Sequence, residues 1–360
     1  MNENRKMSGN KGEWSELYTF FKLLSQGRVY AADENVEKID DVYYPILKII
    51  REETNCEKVE YVISDENVNI VLHTDIVKTL PRQILEREAA KLFEQILRHN
   101  GSFELDEIAN FANSILVTKL RAPASDTTDI SMQIEDIYTN LTRNVGFSIK
   151  SEVGNPPTLL NAGQTTNFIY KVNGITQEQM KQINSIDTAT KIKDRIQAIK
   201  SFGGSFEYYD MNHNGFKRNL IMIDSSMPII IGNLLLIYYQ TDIKECNSLV
   251  NLLSDEDPLN FKDKQIYEYK LKKLLCSCAL GMKPAKQWNG LDEANGGYII
   301  VKQTGEVLAY HIYNRNFFEQ YLIDNTILEK ASTSRHQYMT LFEKAGQMFI
   351  MLNLQIRFRR

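Results

Sequence analysis

The stretch GFSIKSEVG, Gly146–Gly154, decides how the chain is read. Strand side chains alternate between faces, so Ser148, Lys150 and Glu152 line up on one side while Phe147 and Ile149 point the other way. Two readings fit: an edge strand with one wet face, or a catalytic rim with a lysine at its centre. The surrounding residues have to choose between them.

Upstream, DISMQIEDI alternates Ile130, Met132 and Ile134 with Asp129, Ser131 and Gln133. That is a half-buried strand whose polar face begins at Asp129. Hydrolysing a phosphodiester with a divalent ion needs acidic oxygens for the metal and a positive group near the attacking water or the phosphate. Adjacent strands, one offering Asp129 and the other Lys150 between Ser148 and Glu152, supply both. Spacing alone does not separate this arrangement from an ordinary cross-strand surface pair.

Further out, residues 13–26 place Trp14, Leu17, Phe21 and Leu24 on one helical stripe, with Gly27 as the stop. VEYVISDENVNIVLHT predicts two strands joined at Asp65–Asn67, and Thr79 is the expected N-cap of the helix LPRQILEREAAKLFEQILRHNG. A helix carrying Ile108, Phe111, Ala112 and Ile115 follows. After the break at NPPT, TTNFIYKV predicts a third strand, residues 177–201 one charged helix, and SFEYYDMNHNGFKRNLIMID two strands around a turn. YIIVKQTGEVLAYHIY reads as a hairpin and MFIMLNLQIRF as a late strand. Interspersed helices and strands predict an α/β fold with a mixed sheet.

With 8 prolines, 18 glycines and no repeat or low-complexity segment in 360 residues, no linker is marked, so one compact unit or two closely packed halves are expected. The net charge of -4 advertises no global basic field. Nucleic acid stays open, because phosphate binding needs a local basic surface. Candidate clusters are Lys191, Lys193, Arg195 and Lys200; Lys270, Lys272 and Lys273; and Arg357, Arg359 and Arg360. The four cysteines form no CxxC, which argues against zinc or a disulfide framework. The polar start MNENRKMSGNKG is no signal peptide, and MPIIIGNLLLIYY is too short to span a bilayer, so a cytoplasmic protein is expected. DMNHNG begins like a calcium loop, yet its twelfth position is Ile221 rather than a glutamate. The five histidines have no HxH or HxxxH spacing, and no phosphate-cradling glycine loop or GxSxG elbow occurs.

GEWSELYTFFKLL, SDTTDISMQIEDI, GFSIKSEVGNPPTLLNAGQTTNF and the closing LNLQIRF resemble the HpaII family of type II restriction endonucleases, over nearly the whole chain from Gly12 to Phe358. The most specific piece is FSIKS followed by TLLNA and TNF. The resemblance implies the PD-(D/E)xK superfamily: a restriction-endonuclease-like mixed central sheet flanked by helices, with additional α+β elements for DNA recognition. It implies Mg²⁺-dependent cleavage of double-stranded DNA at a short palindrome, CCGG by family likeness, leaving 5′-phosphate ends. Asp129 matches the first acid and Lys150 the lysine. Thr128 stands where proline often precedes the aspartate, which is harmless. Ser148 stands where the second acid belongs, and a hydroxyl is a weaker ligand for a hard cation. Restriction enzymes of this fold that read a CCGG core carry SxK and recruit a displaced glutamate. Glu16, on the first helix, is the favoured replacement and Glu152 the second, with Gln164 a further neighbour of the metal.

Base readout calls for bidentate polar side chains. The candidates are Asn161, Gln164 and Asn167 after the catalytic strand, and Arg335 and His336 in STSRHQY, with Lys119 and Arg121 as phosphate contacts. Residues 1–175 would build the nuclease core, and residues 176–360 would complete the sheet and wrap DNA, in one compact unit with it. A palindromic site suggests a homodimer. No membrane partner is expected, and a cognate methyltransferase would act on the same site without needing to bind the chain. Two other readings remain at this point: a DNA-binding module that lost cleavage through Ser148, and a scaffold without nucleic acid.

Overall fold

Asn10 and Glu13 start the first helix by bonding each other's backbone. Glu13 N–H donates to Asn10 Oδ1 at 3.1 Å and Asn10 N–H to Glu13 Oε2 at 2.8 Å, which satisfies two donors a helix start otherwise orphans. The helix, α1 (Lys11–Gln26), stops at Gly27 in the left-handed region. Trp14, Leu17, Phe21 and Leu24 are fully buried as their spacing predicts, and so are Phe20 and Leu23. More than one stripe is covered because α2 (Arg82–Arg98) and a large sheet both pack on α1.

The computed structural model describes residues 7–53, 57–120, 128–136, 141–311 and 314–359. The chain divides into two units, Met1–Pro157 with Asp292–Tyr321, and Thr158–Leu291 with Leu322–Arg360. The first unit is built on a nine-stranded sheet: β1 (Arg28–Ala32), β2 (Lys38–Glu52), β3 (Lys58–Ile63), β4 (Asn67–Leu72), β5 (Asp75–Pro81), β6 (Ile130–Asp136), β7 (Leu141–Ser151), β8 (Gly297–Val301) and β9 (Val307–His311). Their order is β1-β9-β8-β7-β6-β2-β3-β4-β5. The long β2 also pairs with β1 through its first half, so six strands close into a ring and β3–β5 extend from it. β7–β8 and β9–β1 are parallel and the remaining pairs antiparallel, a mixed α/β sheet. Phe147 and Ile149 of β7 join Ile299, Val301 and the α1 side chains in one core.

A buried ion pair anchors the segment leading towards β6. Arg51 Nε lies 2.6 Å from Glu53 Oε1, Arg51 Nη2 donates to the Lys119 carbonyl, and Glu53 Oε2 accepts from the N–H and hydroxyl of Thr118. Burying this pair is tolerable because every charged oxygen has a partner.

In the second unit, Met227–Thr241 is a helix buried along most of its length. A four-stranded sheet runs Ser205–Met211, Asn167–Asn173, Gln347–Asn353, Phe342–Lys344, and a smaller one runs Thr158–Leu160, Ile356–Phe358, Thr326–Leu328.

Several elements differ from the sequence reading. Thr79 caps no helix. It lies in β5 opposite Asn69, to whose Oδ1 its hydroxyl donates, and α2 begins after Pro81. The charged segment 177–201 is two helices, Gln177–Asn184 and Lys191–Ser201, because Arg195 Nη2 takes up the carbonyls of Asn184 and Ile186 at the break. After Met211 the second expected strand is a helix, Asn214–Ile223, capped by His213 Nδ1 accepting from Phe216 N–H. The late strand is two, Gln347–Asn353 and Ile356–Phe358.

Candidate active site

The β6–β7 pairing sets Ile130 opposite Phe147, and Asp129 N–H continues the ladder to the Phe147 carbonyl at 2.9 Å. β6 ends there, so the next outward N–H of β7, at Ile149, has no strand to meet. The Asp129 side chain takes its place: Oδ2 accepts from Ile149 N–H at 2.6 Å and from the Ser148 hydroxyl at 3.1 Å. Two donors converging on one oxygen fix the direction in which the carboxylate points. Among the described residues, none donates to Oδ1.

Ser148 is 2% exposed, enclosed by Asp129 on one side and by Tyr298, its partner in the parallel β7–β8 register, on the other. Lys150 follows two residues on, paired with Ile300. It is half-buried, and its ammonium makes no ion pair or hydrogen bond with the described residues.

Past the end of β7 the surface opens into a cleft of about 610 Å³. One wall is the first turn and a half of α1, with Asn10, Lys11, Glu13 and Glu16; the other is Ile149–Ser151 with Val153–Asn155, and Asn100 and Gly101 close the side. Glu16 and Lys150 therefore border one space, although 134 positions separate them (150 − 16). Glu152 borders another. Its N–H extends the ladder to the Val301 carbonyl. Its carboxyl faces Lys302 and the Gln303 N–H, where desolvation holds its pKa above the usual glutamate range against the pull of Lys302. It does not line the cleft.

The sequence that builds this site has relatives among known proteins. The model of the HpaII restriction endonuclease family matches residues 10–358. The type II restriction enzyme HpaII of Haemophilus parainfluenzae is 38% identical over 357 residues, 98% of either chain. The chain belongs to the HpaII restriction endonuclease family. No solved structure matches it.

The other residues expected to serve this HpaII-family chain lie as follows. Lys119 is half-buried, its carbonyl bonded to Arg51, and Arg121 lies outside the described residues. Asn161 and Gln164 are exposed in the second unit, where Arg335 is exposed and His336 half-buried on the short helix Thr333–His336. Asn167 requires correction. It is 1% exposed, its Nδ2 donates to the His336 carbonyl and its Oδ1 accepts from Asn353, so it holds the His336 turn from behind and presents nothing to a base. Sequence reasoning missed Asn10 and Lys11 on the cleft wall. The N-x-x-E capping signature at Asn10–Glu13 was the available signal.

A divalent ion with hard-oxygen preference fits this donor set in a limited way. Among the described residues no three His, Cys, Asp or Glu side chains converge. Magnesium, which keeps several waters, is commonly held by one or two carboxylates; of the acids the sequence offers, Glu16 lines the cleft and Asp129 does not.

Proposed function

We propose that the chain is a Mg²⁺-dependent type II restriction endonuclease. It would cut both strands of DNA at a short palindrome, CCGG by family likeness, on a restriction-endonuclease-like core. Family membership supports site-specific cleavage of DNA. The observation that carries the site assignment is the Asp129 carboxylate locked against Ser148 and Ile149, with the half-buried Lys150 next in the strand and sharing its cleft with Glu16.

Asp129 and Glu16 would hold the ion, Glu16 replacing the acid that Ser148 lacks. When bound, a divalent ion supplies Lewis-acid polarisation of the phosphate and a water of lowered pKa. The remaining work belongs to the chain. Lys150 presents its ammonium to a phosphate oxygen and stabilises the negative charge that grows there in the transition state. Ser148, neutral and buried, keeps Asp129 aimed without adding a second charge beside it. In-line displacement by water would leave 5′-phosphate and 3′-hydroxyl ends. A palindromic target favours a homodimer acting in the cytoplasm, with a methyltransferase protecting the same sequence.

The test is digestion of unmodified plasmid with Mg²⁺. Discrete fragments are expected, and Lys150→Ala and Asp129→Ala should each lower the rate by on the order of 100-fold or more. Wild-type cleavage by Lys150→Ala would refute the site. A second reading, a binding module without cleavage, draws on Ser148 alone. Tight, salt-sensitive binding with no strand breaks under any divalent ion would favour it.

A further inference from the structure

The two halves of the proposed site sit on different elements, Glu16 on α1 and Lys150 on β7, and apolar packing between a helix and a sheet has no directional preference that would stop one sliding on the other. Directional contacts do join them. Ser15 Oγ lies 2.7 Å from the Lys11 carbonyl and 2.9 Å from Ser151 Oγ, and Val153 N–H donates to Ser151 Oγ at 3.2 Å. Ser15 is 1% exposed.

A hydroxyl has one proton. The Lys11 carbonyl can only accept, and Ser15 Oγ is the donor in both of its contacts, so its proton is shared between the Lys11 carbonyl and Ser151 Oγ. Ser151 Oγ therefore accepts from both sides, from Ser15 on the helix and from Val153 N–H on its own chain segment. Sliding α1 by a residue would strand these polar groups in a nearly dry contact, which is unfavourable.

Ser15 precedes Glu16 and Ser151 follows Lys150. We infer that Ser15 and Ser151 are positioning residues that set the helix-borne Glu16 against the strand-borne Lys150 for cleavage, an inference that rests on Glu16 and Lys150 forming the site. Neither serine touches the reacting atoms in this role. Their effect passes through where the carboxylate and the ammonium stand.

The experiment measures kcat and KM for plasmid cleavage with Mg²⁺, beside thermal melting, for Ser151→Ala, Ser15→Ala, the double variant, Ser151→Thr and Glu16→Gln. Ser151→Ala should lose about 10- to 100-fold in kcat, the scale of an ångström of misplacement, with KM near wild type. Ser151→Thr, which keeps the hydroxyl and suits a strand, should recover most of the rate and tests the idea in a folded protein. The double variant should be no slower than the worse single one, because both remove the same bond. A wild-type kcat for Ser151→Ala, a change confined to KM, or a threonine variant as slow as the alanine one would each overturn the positioning role. Wild-type cleavage by Glu16→Gln would instead sink the site reading beneath it, and that variant separates the two failures.

Discussion

At the scale of single residues, the position that most constrains the proposed site is Ser148. Ser148 donates to Asp129 from a place that is almost solvent-free. An aspartate there would set two carboxylates against each other where water cannot screen them. Ser148→Asp should therefore lose about 2–4 kcal/mol of stability in chelator, and Mg²⁺ should raise its melting temperature more than that of the wild type. Equal melting of the two proteins in chelator would mean that the Asp129–Ser148 contact does not form. Glu152 makes the opposite kind of statement. Its folded pKa is raised by desolvation, so the folded protein keeps the proton to higher pH than the unfolded chain. The stability it contributes is complete below the ordinary glutamate pKa and is lost as pH rises through the raised value. Glu152→Gln should melt slightly above wild type at neutral pH and level with it near pH 3, as a pH series of melts would read. The shift stays small because the residue is exposed.

At the scale of elements, what could be read from the chain was what local periodicity encodes. The α1 stripe, the β3–β4 hairpin at Asp65–Asn67 and the polar faces of Asp129 and Lys150 all lie where spacing put them. Asn214–Ile223 was read as strand because NLIMI is a short apolar run, which periodicity cannot assign to helix or strand. His213, which settles the matter by capping the helix, looks like a turn residue in isolation. The β7–β8 pairing was beyond reach, since nothing local to Phe147 points to Gly297, 150 positions on (297 − 147). The β8–β9 junction beside it has its own requirement. Gly297 sits at φ 121, and a Cβ there would lie 2.0 Å from the Tyr310 carbonyl oxygen. Gly297→Ala should cost at least about 4 kcal/mol or yield no folded protein. Gly203→Ala should cost only about 1 kcal/mol, since Gly203 has positive φ but open space around it. Urea unfolding compares the two, and equal losses would show that the β8–β9 junction relaxes around the extra carbon.

At the scale of the whole molecule, the order of the sheet decides what can fold alone. Strand β7, which carries Ser148 and Lys150, lies between β6, its near neighbour in sequence, and β8, which arrives after the entire Thr158–Leu291 segment has been made. β8 and β9 are buried along their full lengths and stand between β7 and β1 within the ring. A fragment of residues 1–175 would hold every proposed catalytic residue and still expose one edge of β7 and one of β1, together with the core face that Ile299, Val301, Val307 and Ala309 cover. Unpaired edges flanked by exposed apolar faces aggregate. The fragment should therefore be insoluble or melt without cooperativity, whereas the full chain should unfold in a cooperative step, and calorimetry of both makes the comparison. Supplying residues 292–321 as a second polypeptide should restore part of the missing signal, because those residues contribute strands and no proposed catalytic group. A soluble, cooperative 1–175 fragment that cuts plasmid would show that the ring need not close for the site to form. The same order predicts slow refolding, since β7 cannot complete its pairing until a long loop has closed. Recovery of cleavage after dilution from urea should then lag the return of helical signal, as helices such as α1 and α2 depend on contacts much closer in sequence.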